Sequence, residues 1–198
     1  MPGRLVVICG PMFAGKSTAL LDRARAAHAA GRRVLAVKPA GDDRYDASAI
    51  VTHAGEQARA RALHHAGEVL SVCAEHPGGP PEVVIIDEAH FFGDELVAPV
   101  LALLAGPGVG GGAGGGATGA GCEVILAGLE RDHRGEPFAP LPRLLCEADE
   151  VVKLTGRCAR CGGAAIHSQR LVASGERIVV GGAEAYEPRC RACFVPGS

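Results

Sequence analysis

The chain has 198 residues, of which 47% are hydrophobic and 21% are charged, and its formal net charge is −2. This length suits one α/β domain with a small appendage and allows a substantial core. The charge argues against a broad surface for nucleic acid, and the sequence has neither an apolar run of membrane-spanning length nor a signal-peptide layout at residues 1–5. We therefore expect a cytoplasmic protein that binds neither nucleic acid nor a membrane.

The predicted elements alternate between short apolar strands and helices. Residues 4–9 (RLVVIC) predict a buried strand, and residues 16–30, rich in Ala, Leu and Arg, predict a helix that ends at Gly31. The further predicted strands are residues 33–37, 58–63, 82–86, 122–127 and 150–154, and the further predicted helices are residues 66–74, 94–104 and 140–146. This alternation predicts an α/β fold in which helices cover both faces of a parallel sheet.

Two segments of the chain fall outside this alternation. Residues 39–55 are polar and irregular, which makes them a candidate active-site loop. Ten of the sixteen residues 106–121 are glycine and none is charged, which is typical of a flexible surface insertion between a helix and a strand. We interpret this insertion as having no function of its own, with a role in gating a ligand as the alternative.

The segment after the first predicted strand, residues 10–17 (GPMFAGKS), matches the phosphate-binding pattern G-x-x-x-x-G-K-[ST]. With this composition, about 0.003 chance matches are expected in the whole chain. The glycines allow backbone N–H groups to surround phosphate oxygens, and the N-terminus of the next helix adds partial positive charge. Lys16 is predicted to reach the β- and γ-phosphates of ATP, and Ser17 to bind Mg²⁺.

The strand predicted at residues 82–86 leads into two carboxylates, Asp87 and Glu88. An acidic residue at the end of such a strand is the usual Mg²⁺ partner of a phosphate loop, and this role is predicted for Asp87. Glu88 would then lie beside the γ-phosphate, where a general base or a water-orienting group is needed. The letters DEAH at residues 87–90 also occur in helicases, but such motors need two domains, each comparable with this whole chain.

Four of the eight cysteines form two C-x-x-C pairs. Cys158 and Cys161 are separated by 28 residues from Cys190 and Cys193. Four thiolates in this pattern suit a tetrahedral structural Zn²⁺, with a redox pair or unligated core cysteines as the alternatives. His167 lies outside ligand spacing and is predicted to be a surface residue. The remaining cysteines, predicted to be buried as small hydrophobic residues, are Cys9, Cys73, Cys122 and Cys146.

Several segments form a joint pattern along the chain. They are GPMFAGKST at residues 10–18, the K-x-x-x-D-x-R-Y arrangement of Lys38, Asp42, Arg44 and Tyr45, TH at 52–53, DEAHF at 87–91, GEPF at 135–138, VVKLT at 151–155, the two cysteine pairs, and GGAEAY at 181–186. In this order they resemble the motifs of the cellular-type (type II) thymidine kinases, and the resemblance extends over nearly the whole chain. It implies a P-loop (RecA-like) kinase domain at residues 1–154 and a zinc-binding lasso domain at residues 155–198.

The resemblance implies transfer of the ATP γ-phosphate to the 5′-hydroxyl of thymidine, and of deoxyuridine, in nucleotide salvage. Glu88 resembles the general base of the family and Arg44 the residue that binds the transferred phosphoryl group, so both are candidate catalytic residues. The candidate residues for ATP and Mg²⁺ are Gly10, Met12, Phe13, Ala14, Gly15, Lys16, Ser17, Thr18, Asp42 and Asp87. A P-loop ATPase with another substrate and a nucleotide-sensing zinc module are the alternatives.

The resemblance also implies that the segment between the cysteine pairs is a lasso-like loop whose backbone binds the pyrimidine edge. The candidate nucleoside-binding residues are Met12, His133, Thr155, Val179, Val180, Gly181, Gly182 and Tyr186, with Thr155 facing the thymine methyl group. His133 stands where the family usually has Phe, Glu130 where it usually has Asp, and His90 where Gln is common. Membership would further imply a homotetramer with feedback by thymidine triphosphate.

Overall fold

The computed structural model describes residues 3–40, 49–51, 57–106, 121–173 and 175–197, and the structural statements below refer to this part of the chain. The strands are β1 (Arg4–Cys9), β2 (Val34–Pro39), β3 (Ala49–Val51), β4 (Gln57–Arg59), β5 (Arg61–Leu63), β6 (Val83–Ile86), β7 (Glu123–Gly128), β8 (Glu150–Lys153), β9 (Gly156–Arg157), β10 (Ala164–Ala165), β11 (His167–Arg170) and β12 (Tyr186–Arg189). The α-helices are α1 (Lys16–Ala29), α2 (Glu68–Ala74), α3 (Val97–Ala105) and α4 (Leu141–Glu147), and a 3₁₀ segment covers Ala89–Leu96.

Six strands form one parallel sheet in the order β5-β2-β6-β7-β1-β8. The central strands β1, β6 and β7 are buried over nearly their whole length, as expected for apolar runs in a sheet that is covered on both faces. β7 lies between β1, which precedes the phosphate loop, and β6, which precedes Asp87. The carboxyl ends of all three strands therefore meet at one edge of the sheet.

Helices cover both faces of the sheet, and each face has its own core. On one face, Leu20 and Leu21 of α1 pack with alternate residues of β1, β6 and β7. On the other face, α2, α3 and α4 pack on the intervening residues, with Val100 and Leu141 fully buried. The predicted P-loop α/β fold with helices flanking a parallel sheet is confirmed. None of the described helices combines the length and the apolar character that crossing a membrane requires.

The chain beyond β8 forms two small antiparallel hairpins, in which β9 pairs with β10 and β11 pairs with β12. Backbone hydrogen bonds join the hairpins, since the N–H of Ile166 donates to the Arg189 carbonyl at 3.0 Å and that of Ala159 to the Pro188 carbonyl at 2.9 Å. Residues 175–185 lie between β11 and β12, and we call them the lid. The division of the chain into two domains at residue 154 stays a prediction.

Most predicted elements are confirmed to within two residues of their observed ends, and two need correction. The single strand predicted at residues 58–63 is wrong, because β4 pairs with β3 whereas β5 joins the edge of the main sheet. The helix predicted at residues 94–104 is also wrong in its start. A 3₁₀ segment begins at Ala89, Gly93 interrupts it with a φ of 63°, and the α-helix begins only at Val97.

Two predictions of burial are wrong as well. Cys146 is exposed, since α4 turns Leu141 and Leu144 towards the core instead. His167 is buried, because its ring stacks on Phe194 with centroids 4.1 Å apart and an interplanar angle of 8°. The cysteines that are buried as predicted are Cys9, Cys73 and Cys122.

Most of the glycine-rich insertion, residues 107–120, lies outside the described residues, but its two ends do not. Backbone hydrogen bonds fix both ends beside β1 and β7. The N–H of Gly3 donates to the carbonyl oxygen of Leu104 at 2.7 Å, and the N–H of Cys122 donates to the carbonyl oxygen of Leu103 at 3.0 Å. At Gly121 a Cβ would approach the nitrogen of Gly3 at 2.2 Å, so this position has no room for a side chain.

Candidate active site

A cavity of about 370 Å³ lies at the carboxyl edge of the main sheet. Four parts of the chain line it, namely the loop after β1, the residues after β6, the loop after β7, and the lid. Lys38 at the end of β2 and Ile50 in β3 complete the wall. These segments are distant in sequence, and the parallel order of the strands is what brings them together.

The loop after β1 has the backbone conformation of a phosphate cradle. Gly10 has a φ of 150° and Gly15 a φ of 84°, and the non-glycine residue Phe13 also has a positive φ, 63°. At Gly10 a Cβ would lie 2.5 Å from the carbonyl oxygen of Leu154, so a larger residue does not fit there. α1 begins at Lys16, and its N-terminus at this loop favours an anion.

Polar groups from the phosphate loop and from the end of β6 converge in the cavity. The Nζ of the buried Lys16 donates to the carbonyl oxygen of Pro11 at 2.8 Å. Burial, followed by the charge of Glu88, raises the pKa of Asp87 to about 7, against the opposing effects of a hydrogen bond from Ser17 and the charge of Lys16. The raised pKa means that the ionised form of this buried carboxyl group is poorly stabilised, and a bound divalent cation would stabilise it. The oxygens of Asp87 and Ser17 are of the kind that Mg²⁺ prefers, so the pair fits this ion.

Glu88 is held in an uncommon backbone conformation, with φ 49° and ψ 40°. Its backbone N–H donates to Oδ1 of Asp87 at 2.9 Å, which orients the Asp87 carboxylate against the Glu88 backbone. The Glu88 side chain lines the cavity, and its Oε2 lies 3.5 Å from Nδ1 of His90. That nitrogen also accepts a hydrogen bond from the N–H of Leu129 at 3.3 Å. Left-handed backbone at a cavity carboxylate is typical of a functional site.

The lid contributes several residues to the lining of the cavity. Its predicted nucleoside-binding residues that line the cavity are Val179, Val180, Gly181 and Gly182. The hydroxyl of Tyr186 donates to the carbonyl oxygen of Val179 at 2.9 Å. The guanidinium of Arg170 donates to the carbonyl oxygens of Glu176 and Arg177 at 2.6 and 2.8 Å. These bonds from the flanking strands give the lid a defined shape.

His133 lies in the cavity wall, in the loop after β7, and is 4% exposed. Neither of its ring nitrogens makes a hydrogen bond of ordinary geometry among the described residues, although the backbone of Arg177 lies near enough to act on its pKa. Gly197 packs against the ring, where a Cβ would lie only 2.7 Å from Cδ2 of His133. Burial, with the charge of Arg170 as the second cause, lowers the pKa of His133, and Asp132 opposes this shift. The imidazole is therefore neutral at pH 7 and offers an uncharged aromatic surface.

Sequence reasoning missed several polar residues of the cavity wall, among them Asp132, Ser168 and Arg177. The hydroxyl of Ser168 accepts a hydrogen bond from the N–H of Met12 at 3.0 Å. The buried carboxylate of Asp132 accepts one from Nε of Arg177 at 2.8 Å. Both contacts join residues that are distant in sequence and belong to no local pattern. The one signal in the sequence for Asp132 is that it directly precedes His133, which was already a candidate nucleoside-binding residue.

Most of the candidate residues are brought together. Those that line the cavity are Met12, Phe13, Gly15, Lys16, Ser17, Thr18, Asp87, Glu88, His133, Val179, Val180, Gly181, Gly182 and Tyr186. Gly10 and Ala14 belong to the same phosphate loop without lining the cavity. Thr155, which follows the edge strand β8, is exposed and outside the lining, and its nucleoside contact stays a prediction. Asp42 and Arg44 lie outside the described residues, and their roles stay predictions.

The sulfur atoms of Cys158, Cys161, Cys190 and Cys193 all lie within 4.8 Å of one another. Tetrahedral Zn²⁺ with Zn–S bonds of about 2.3 Å places its sulfurs about 3.8 Å apart, so the cluster has a suitable size. Burial acts to raise the pKa of the Cys158 thiol, but backbone N–H groups of Cys190, Cys161 and Arg160 outweigh it and lower the pKa to about 6. The four cysteines therefore fit a structural zinc site with no open position.

Comparisons with known proteins agree with this geometry. The model of the thymidine kinase family matches residues 3–105 and 117–194. A thymidine kinase of Deinococcus deserti (strain DSM 17065 / CIP 109153 / LMG 22923 / VCD115) is 44% identical over 206 residues, which cover 96% of this chain and 93% of that protein. A thymidine kinase of Rhodothermus sp. (strain ITI 518) is 39% identical over 194 residues, covering 98% of this chain and 82% of that protein. The chain belongs to the thymidine kinase family.

Proposed function

We propose that the protein is a thymidine kinase that transfers the γ-phosphate of ATP to the 5′-hydroxyl of thymidine and of deoxyuridine. The observation that carries this proposal is that the phosphate loop and the lid line the same cavity. An ATPase or a nucleotide sensor would need the phosphate loop but no lid for a second substrate. Family membership over nearly the whole chain supports the same activity.

The phosphate loop is the proposed ATP site. We expect Lys16 to exchange its hydrogen bond with Pro11 for contacts with the β- and γ-phosphate oxygens of ATP. Ser17 and Asp87 would hold Mg²⁺, which neutralises phosphate charge during the transfer when it is bound. The glycines leave backbone N–H groups free of steric cover, so they contribute further donors to the phosphates.

Glu88 is the proposed general base. Its carboxylate accepts the proton of the 5′-hydroxyl while that oxygen bonds to the γ-phosphorus and the bond from the γ-phosphorus to the bridging oxygen of ADP breaks. Its place in the cavity and its linkage to Asp87 support this role, since the base must stand beside the metal-bound phosphate. Two further roles are proposed from the family resemblance alone. Arg44 would bind the transferred phosphoryl group, and the carboxylate of Asp42 would lie near the Mg²⁺.

The lid is the proposed pyrimidine site. Backbone groups of Val180 and Gly181 can pair with the edge of a pyrimidine. The neighbouring residues hold them in place, since the Val179 carbonyl accepts from Tyr186 and both backbone groups of Gly182 form hydrogen bonds within the lid and β12. The neutral ring of His133 and the ring of Phe138 supply aromatic surface for the base. A lid in this place also excludes water, which suppresses hydrolysis of ATP without a nucleoside.

A substrate panel tests the proposal. Purified protein is incubated with ATP, Mg²⁺ and thymidine, deoxyuridine, deoxycytidine or deoxyadenosine, and nucleoside 5′-monophosphates are separated by chromatography. We expect product from thymidine and deoxyuridine and none from the purine nucleoside. If ATP is hydrolysed while no nucleoside is phosphorylated, the protein is an ATPase with another substrate. If ATP binds and neither reaction occurs, the nucleotide-sensing alternative holds.

Two further properties are proposed from the resemblance alone. The protein would form a homotetramer, and it would work in the cytoplasm in nucleotide salvage. Light scattering after size-exclusion chromatography tests the first, with a fourfold multiple of the 20.1 kDa chain mass as the expected result. A monomer under the same conditions would contradict it.

A further inference from the structure

The lid is joined to the core of the protein by Arg177. Its Nε donates to Oδ2 of Asp132 at 2.8 Å, and its terminal nitrogen donates to the carbonyl oxygen of Pro137 at 3.0 Å. The guanidinium also lies over the ring of Phe138, with its carbon 5.4 Å from the ring centroid. Three kinds of contact therefore connect one lid side chain to the loop after β7.

The carboxylate of Asp132 is oriented by hydrogen bonds within its own loop, independently of the lid. Its Oδ1 accepts hydrogen bonds from the N–H groups of Arg134 and Glu136 at 2.9 and 3.0 Å, both within its own tight loop. Its Oδ2 is the oxygen that meets Arg177. The Asp132 side chain is 2% exposed, so opening of the lid would leave a buried carboxylate without this charged donor.

The contacts of Arg177 differ in kind from the other bonds of the lid. Those from Arg170 and Tyr186 begin and end within the unit of β11, lid and β12, so they shape the lid and would move with it. The contacts of Arg177 instead connect this unit to the loop after β7. Arg177 itself lines the cavity, and Val179 and Val180, which also line it, follow closely in the chain.

We propose that Asp132 and Arg177 form a latch that keeps the lid closed over the nucleoside and so determines nucleoside affinity. This inference rests on the proposed function for the identity of the ligand. Both are positioning residues, because they act through the backbone of residues 179–182. The latch affects the acceptor wall of the cavity, so its loss raises KM for thymidine much more than KM for ATP.

The test compares Arg177→Gln with Arg134→Gln as a matched control, since Arg134 is an exposed arginine of the loop after β7. We expect R177Q to raise KM for thymidine by roughly fivefold to twentyfold with a smaller change in kcat, and R134Q to change neither. R177K keeps the charge opposite Asp132 and is expected to recover part of the loss. D132N combined with R177Q should raise KM for thymidine by less than the product of the two single effects.

A second measurement does not depend on activity. Amide hydrogen exchange, followed by mass spectrometry without substrates, should be faster in residues 175–182 of R177Q than in R134Q or the unmodified protein. Unchanged exchange in the lid, or equal rises in KM for thymidine and ATP, would overturn the latch. If the unmodified protein phosphorylates no nucleoside, the proposed function fails, while the exchange result still decides whether Arg177 holds the lid closed.

Discussion

The hydroxyl of Ser168 accepts a hydrogen bond from the backbone N–H of Met12 at 3.0 Å, so the hairpin of β11 and β12 supports the phosphate loop directly. The two residues are 156 positions apart, and Ser168 is buried. Removing the hydroxyl would leave a loop N–H without its acceptor. We expect S168A to raise KM for ATP by roughly threefold to tenfold, from the loss of one buried hydrogen bond.

The control for this substitution is S71A, an equivalent change on the exposed face of α2. Steady-state kinetics with ATP as the varied substrate provide the measurement. An ATP KM that is equal in S168A, S71A and the unmodified protein would show that the contact does not position the phosphate loop.

Replacing Glu88 should separate chemistry from binding. We expect E88Q to keep its affinity for ATP but to lose kcat by a factor of roughly 10²–10⁴, because the amide cannot accept the proton of the 5′-hydroxyl. E95Q is the matched control, since Glu95 is an exposed carboxylate of the 3₁₀ segment that directly follows Glu88. Unchanged kcat in E88Q would remove Glu88 from the role of base.

The two positive-φ glycines of the phosphate loop should respond differently to alanine. A Cβ at Gly10 would lie 2.5 Å from a backbone oxygen, whereas a Cβ at Gly15 has no atom within 4 Å. We expect G15A to cost about 1–2 kcal/mol from backbone strain alone, and G10A to cost a further ~1–3 kcal/mol from the steric conflict. Urea unfolding of both variants measures the difference, and equal midpoints and slopes would contradict it.

Buried His133 should make stability depend on pH. Its pKa in the folded protein is lowered from the ordinary value of 6.5, so the unfolded chain binds more protons in the window just below that value. The free energy of unfolding should therefore fall as the pH falls from above 6.5 through this window. H133F should show a flatter profile, with the remaining slope partly due to His167, whose pKa burial also lowers. A profile equally steep in H133F and the unmodified protein would contradict this role of His133.

Metal analysis should find about one zinc per chain in protein prepared with reduced thiols. C161S should lose this zinc, because three thiolates remain, whereas C146S should keep it, because the exposed Cys146 lies outside the cluster. Zinc content equal in C161S and the unmodified protein would place the metal elsewhere, and no zinc in either would exclude the structural site.

The sequence is informative where structure is set locally. The prediction for β1 agrees with its observed ends, and those for β6 and β7 agree to within one residue, since short apolar runs rich in β-branched residues are typical of buried parallel strands. The phosphate loop was predicted for a similar reason, because glycine positions and a following helix fix its shape. Residues 58–63 show the limit of such local prediction. β4 and β5 are separate strands only because β4 pairs with β3 and β5 pairs with β2.

Tertiary contacts account for what the sequence did not predict. His167 was predicted to be a surface residue because it lies outside ligand spacing, and its stacking partner Phe194 is 27 positions away in the chain. Arg177 and Asp132 each resemble an ordinary solvated charge until the fold brings the lid onto the loop after β7. Such pairs leave no period or spacing in the chain, so they become visible only in three dimensions.

The anchored ends of the glycine-rich insertion have a practical consequence. Residues 106 and 121 lie beside the amino-terminal end of β7, whereas the cavity lies at the carboxyl edge of the same sheet. Changing the length of the intervening chain costs little loop-closure entropy. A fluorescent reporter domain or an affinity tag could be fused between these residues, where its bulk would be remote from both substrates.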